Sequence, residues 1–204
     1  MTKVELTYFP VKAMGEGLRL LMSYGGQAFE DNRINSTDWP TIKQSTPFGQ
    51  LPMLTMNGKK YAQSIAIARY FGRKYGLVGT TPEEDLEIDM TMDFIIEIRS
   101  KAIVVYFETD EAIKKAKHED YSKNVYPDML GKLNDIVGRN NGHIAAGKLT
   151  WGDFVFAGMY DYLKVRLHMP DLDTKYPNLK KVVDNVYGLP QLKNYLANAP
   201  KTEI

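Results

Sequence analysis

The sequence predicts an α+β domain of βαβ-ββα order followed by an all-helical domain, and three observations carry that expectation. Period-two alternation and an Asn57-Gly58 pair crowd strand and hairpin signals into the early part of the 204 residues. A densely punctuated stretch, Gly76-Leu77-Val78-Gly79-Thr80-Thr81-Pro82, reads as a linker. Beyond it the strand signal nearly vanishes and helix starts recur. The expected domains are residues 1–79 and 80–204.

Val4, Leu6 and Tyr8 alternate with Lys3, Glu5 and Thr7, the pattern of a half-buried strand that ends at Tyr8. The loop Phe9–Met14 leads into a helix over Gly15–Tyr24, in which Leu18, Leu21 and Met22 share a face and Gly25-Gly26 stops the helix. Phe29–Ile34 is a second strand. Met53–Met56 is a third, turned by Asn57-Gly58 into a return strand at Lys59–Ala62. A helix follows whose first side chains are Gln63 and Ser64. The order βαβ then ββα fits a thioredoxin-like domain.

The stretch Pro47–Tyr70, PFGQLPMLTMNGKKYAQSIAIARY, carries the strongest functional signal. A Ser ahead of an apolar helical run leaves backbone N–H groups unpaired at the positive end of the helix dipole, which is a seat for a carboxylate. Leu51-Pro52 stands at the entry to the third strand, where proline removes a ladder donor and, if cis, turns the backbone of Leu51 outward to pair with an extended peptide. An edge that pairs a peptide, facing a helix start that binds its carboxylate, describes a site for a small acidic peptide.

In the second domain Thr81 caps a helix, Pro82 fits its first turn and Glu84 reaches back. This long helix carries Leu86, Ile88, Met92, Ile95, Ile96 and Ile103 towards Phe107. Pro127 lies in the next helical pattern, whose apolar face is Leu130, Leu133, Ile136 and Val137. It either kinks that helix or marks a start at Tyr126. Thr150 and Asp153 form a second capping box, ahead of the apolar run Phe154–Leu163, and its reading is structural. Tyr176-Pro177-Asn178-Leu179 opens a further helix ending at Gly188, and Leu189-Pro190-Gln191-Leu192 opens the last.

Composition narrows the function. With 44% hydrophobic residues there is ample core, and no apolar run has membrane-spanning length. Twenty-six Lys and Arg against 25 Asp and Glu favour neither nucleic acid nor an anionic membrane as a partner. MTKVEL lacks the apolar core of a secretory signal and there is no cysteine, so a cytoplasmic address is expected. The missing Cys and three scattered histidines, His118, His143 and His168, also speak against a metal site. Any thiol chemistry must come from a substrate.

PFGQLPML followed by QSIAIARY resembles the glutathione-binding core of cytosolic glutathione transferases. The likeness covers essentially the whole chain. LTYFP, DWPTIKQSTPFGQLPML, QSIAIARYFGRKYGL, IDMTMDF and GKLTWGDF are similar to the sigma class, closest in wording to insect members. The resemblance implies the glutathione transferase fold, glutathione as co-substrate, no metal, and a homodimer. It implies a reaction in which the glutathione thiolate joins small hydrophobic electrophiles, lipid-peroxidation products or foreign compounds, and it allows hydroperoxide reduction. It assigns Tyr8 as the catalytic donor to the sulfur. It gives the glycine end of glutathione to Trp39 and Lys43, the cysteinyl unit to the backbone of Leu51 before Pro52, a contact to Gln50, and the γ-glutamyl carboxylate to Gln63 and Ser64. Glu97 would reach the γ-glutamyl ammonium across the dimer.

The implied electrophile site, between the first domain and the long helix, takes Phe9, Ala13, Met14, Arg99, Ile103, Met159 and Ile204. Two departures stand out. Met14 occupies a position where many sigma members carry arginine, which removes one positive charge near the thiolate. Ile96 and Glu97 stand where vertebrate prostaglandin-isomerising members have paired aspartates. The alternatives are a prostaglandin D synthase-type isomerase, whose odds these departures lower, and a low-activity ligand-storing member of the crystallin kind.

Overall fold

A computed structural model describes residues 3–202. A mixed four-stranded sheet, order β2-β1-β3-β4, forms from β1 (Val4–Tyr8), β2 (Glu30–Arg33), β3 (Met53–Met56) and β4 (Lys59–Tyr61). Strands β1 and β2 run parallel, while β3 is antiparallel to both β1 and β4. Two helices flank the sheet strands in sequence, α1 (Ala13–Tyr24) between β1 and β2 and α3 (Ser64–Tyr75) after β4, with a short α2 (Trp39–Lys43) before β3. This is a thioredoxin-like domain. The β3–β4 turn uses Asn57 at φ 50° and Gly58 at φ 79°, the left-handed pair that an Asn-Gly hairpin turn requires.

The rest of the described chain is helical: α4 (Pro82–Tyr106), α5 (Glu111–Asp120), α6 (Tyr126–Arg139), α7 (Trp151–Arg166), α8 (Leu172–Lys175), α9 (Pro177–Tyr187) and α10 (Lys193–Asn198). Among the described residues no helix is long and apolar enough to cross a membrane. Helix α7 is the axle of this half, and Trp151, Phe154, Phe156, Met159 and Tyr160 along it are all buried. It packs on α1 through two glycines. A Cβ on Gly158 would come within 2.4 Å of the Gly17 nitrogen, and one on Gly17 within 2.7 Å of the Val155 Cα, so the two backbones touch. One continuous apolar core therefore joins Leu6, Leu18 and Phe71 to Ile95, Phe154 and Val183.

Several expectations shift in detail. Thr7, on the expected polar side of β1, is 2% exposed, because both faces of this strand are covered. Leu86 is 67% exposed, since the buried stripe of α4 runs instead through Ile88, Met92, Ile95 and Ile98. Glu84 does not close a box on Thr81. Thr81 accepts from the Glu84 N–H at 3.2 Å, but the Glu84 carboxylate takes the Thr80 N–H and hydroxyl at 2.6 and 2.8 Å and the Lys148 ammonium at 2.7 Å. The Lys148 hydrogen bond, then the Thr80 donors, pull its pKa down to about 2. Pro127 does not kink a helix: α6 starts at Tyr126 with proline in its first turn, after a π-helical joint at Tyr121–Val125.

Candidate functional site

Tyr8 ends β1 with its side chain 7% exposed. Its ring lies flat against the first turn of α1, where a Cβ on Gly15 would sit 2.4 Å from the Tyr8 Cδ1, so only glycine lets the ring in. Burial lifts the Tyr8 phenol above its usual value near 10. The backbone N–H of Met14 and the cations of Arg99 and Arg19 pull the other way, and Tyr162 adds to the rise. The net effect keeps the proton on at neutral pH. A buried, protonated phenol is a hydrogen-bond donor in search of an acceptor.

The loop after Tyr8 is held by a residue that the sequence reading missed. Arg19 is fully buried and donates to Asp31 at 2.9 Å, to Glu16 at 3.2 Å, and to the carbonyls of Val11 and Phe9 at 2.9 and 3.4 Å. Tyr195 from the far end of the chain donates to the second oxygen of Glu16 at 2.8 Å. A charge standing inside the apolar run Leu18–Met22 was the available signal. Two carboxylates and two carbonyls take four of the five N–H donors of this guanidinium, which fixes the loop against α1.

From Tyr8 an aromatic chain runs outward: its ring centroid lies 5.7 Å from that of Phe9, which meets Trp39 edge-on at 5.9 Å. Trp39 and Lys43 are the first and last residues of α2, one turn apart on the same face. The Lys43 stem crosses Gly49, which has φ 65°. Two residues on, the Leu51-Pro52 bond is cis, and Pro52 is buried. Gln50 and Gln63 meet across the hairpin base, Gln63 Nε2 donating to Gln50 Oε1 at 3.4 Å.

Helix α3 starts at Ser64, with Gln63 as its N-cap residue at φ 69°, a conformation that side chains other than glycine adopt rarely. No side chain among the described residues caps this start. Its first N–H groups have no partner within the helix, and the dipole adds partial positive charge. Gln63 is exposed and Ser64 half-buried, so the start opens to solvent on the Gln50 side.

A second cluster gathers Tyr8, Ala13 and Tyr162, with Phe9, Val11, Met14, Leu51 and Ile103 packed against it. Phe9, Ala13, Met14 and Ile103 thus lie beside Tyr8, and Arg99 stands over the ring of Tyr162 at 6.0 Å. Tyr162 and Arg166, also missed, follow Met159 along α7 at helical spacing. Met159 itself is fully buried and packs in the main core, not in this cluster. Ile204 lies outside the described residues. Glu97 does not join the others within one chain: it is exposed on α4 and pairs with Lys101 at 3.5 Å.

Comparison with known proteins shows the family. The family models described as the N-terminal and C-terminal domains of glutathione S-transferase match residues 4–73 and 96–199. Glutathione S-transferase 2 of Manduca sexta is 53% identical over 203 residues and is covered end to end, as is this chain. Glutathione S-transferase S1 of Drosophila melanogaster is 43% identical, covering 98% of this chain and 80% of its own. Among solved structures, prostaglandin synthase D of Nilaparvata lugens superposes with a TM-score of 0.92 at 40% identity, over 98% of this chain and all of its own.

Proposed function

The chain belongs to the glutathione S-transferase family, and from that premise we propose that it is a sigma-class enzyme adding the thiolate of glutathione to small hydrophobic electrophiles. The observation that carries the reading is the pairing of a protonated, buried Tyr8 phenol with an uncapped helix start at Ser64, on either side of the cis Leu51-Pro52 loop. The γ-glutamyl carboxylate sits on the N–H groups of α3 with help from Gln63, Ser64 and Gln50. The backbone of Leu51 pairs with the cysteinyl unit. Trp39 and Lys43 hold the glycine carboxylate. Fixed at both charged ends, glutathione places its sulfur at Tyr8.

A thiol with a pKa near 8.5 is only a few per cent thiolate at neutral pH, and a phenol donating to sulfur raises that fraction. With an unsaturated carbonyl compound the sulfur lone pair forms the C–S bond at the β-carbon. The double-bond pair moves through the carbonyl as an enolate, which takes up a proton; nothing leaves and nothing is oxidised. Met14 contributes its backbone N–H near the phenol, not a side-chain cation, so activation at this site is modest. Hydroperoxide reduction uses the same thiolate, and the Nilaparvata lugens neighbour gives prostaglandin isomerisation as a second reading.

We also propose a cytoplasmic homodimer with the domains meeting at 79–80. Support for the dimer comes from exposed apolar side chains on both halves, Phe48 at 67% and Met90 at 59%. Met90 and Phe94 of α4 line a cleft with Ile136 of α6. Glu97 would reach glutathione of the partner subunit across that interface.

Tyr8→Phe tests the enzyme reading, since it removes the donor and keeps the ring. Turnover of a general aromatic electrophile should fall about 10- to 100-fold. The pH at which the rate rises should move up towards the free-thiol value, with glutathione binding little changed. A mutant with the wild-type rate and pH profile would make Tyr8 a packing residue.

A further inference from the structure

The loop after Tyr8 is tied to the far end of the chain by one phenol. Helix α10 has no fully buried residue, and Tyr195 is the side chain of it that packs on the main core. Its hydroxyl donates at 2.8 Å to Glu16 Oε1, 179 positions back in the sequence. Burial, and next the Glu16 charge, hold the Tyr195 phenol far above its ordinary value, so it stays a donor. The other Glu16 oxygen pairs with Arg19 at 3.2 Å. Arg19 in turn lies 5.9 Å from the centroid of the Tyr8 ring and holds the carbonyls of Phe9 and Val11. Three residues past Val11, Met14 donates its N–H to the Tyr8 oxygen.

Tyr195 acts on these contacts in two ways of the same sign. Its O–H takes up part of the Glu16 charge. Without it Glu16 draws harder on Arg19, and the longest of the Arg19 contacts, to the Phe9 carbonyl at 3.4 Å, is the first to loosen. The less compensated carboxylate also makes the potential around Tyr8 more negative, which disfavours a thiolate there. Met14 brings no side-chain cation, so the positive charge acting on the phenol comes from Arg99 and Arg19. Resting on the transferase reading above, we propose that Tyr195 is a positioning residue for that reaction, acting through Glu16 and Arg19 to hold Tyr8 against the glutathione sulfur. The last helix of the helical half thus sets thiol activation in the thioredoxin-like half.

The test is Tyr195→Phe in the full chain with glutathione, since it keeps the ring on the core and removes only the hydroxyl. The pH titration of bound glutathione, followed by the ultraviolet absorbance of its thiolate, should move up and leave about threefold less thiolate at neutral pH. Turnover of a general aromatic electrophile should lose about the same factor in kcat. The glutathione dissociation constant, by calorimetry, should stay within about twofold, because the charged ends of the peptide are held by other residues. A merely structural tyrosine would lower the denaturation midpoint and leave the titration of the folded protein where it was. In a Glu16→Gln background, where there is no charge to relay, Tyr195→Phe should leave the titration unchanged. An equal shift in both backgrounds, or none in either, overturns the assignment. If Tyr8→Phe moves the titration and Tyr195→Phe does not, the transferase reading stands and this inference falls. If neither moves it, both fall.

Discussion

Two helix starts in this molecule face the same physical problem and resolve it in opposite ways. At the start of α7, Asp153 is fully buried and uses both oxygens: the Thr150 N–H and hydroxyl donate to one at 2.8 Å each, and the Ile144 N–H and His143 Nδ1 to the other at 3.2 and 3.0 Å. The next donor, the Trp151 N–H, reaches the Leu77 carbonyl of the linker at 2.9 Å. At the start of α3 no side chain among the described residues caps the helix, and the N-cap residue Gln63 is held at φ 69°. A buried helix end must be closed from within, because an unpaired buried donor is expensive. An end that opens to solvent and is left uncapped keeps its donors for a ligand. The first start holds the two halves together; the second is the proposed seat for glutathione.

The largest effect should come from breaking the closed start. Asp153→Ala strands several donors in the core and should lower unfolding stability by about 3 kcal/mol, measured by chemical denaturation. The protein that remains folded should bind glutathione as the wild type does. At the open start the pattern should invert. Ser64→Ala should raise the glutathione dissociation constant about tenfold, measured by calorimetry, with little change in denaturation midpoint. Gln63→Gly should have the smallest effect. Glycine suits φ 69°, so stability should stay within about 1 kcal/mol. Loss of one neutral hydrogen bond should weaken glutathione about fivefold. If Ser64→Ala unfolded the protein as Asp153→Ala does, the two starts would be the same kind of feature.

Local chemistry made much of this legible beforehand. The Asn57-Gly58 hairpin, the Thr150–Asp153 box and the uncapped Gln63-Ser64 start all rest on residues within a few positions of one another, and each lies where the sequence places it. What escaped notice depends on distant partners. Arg19 reads as an oddity until Asp31 and the Phe9 and Val11 carbonyls surround it. The short α2 has only five residues and no apolar stripe, and α5 (Glu111–Asp120) buries none of its side chains, so neither leaves a periodic signal. Tyr162 continues the spacing of Met159, yet only the packing of α7 brings it beside Tyr8 and leaves Met159 in the main core.

The most direct measurement pairs the open start with the charge it is built to hold. Glutathione and an analogue lacking the γ-glutamyl carboxylate would each be titrated into the wild type and Ser64→Ala by calorimetry. The wild type should bind the analogue at least about tenfold more weakly. Ser64→Ala should lose about tenfold with glutathione but less than about twofold with the analogue, because the lost contact has no carboxylate to act on. An equal loss with both ligands would contradict the account and move the anion seat away from the start of α3.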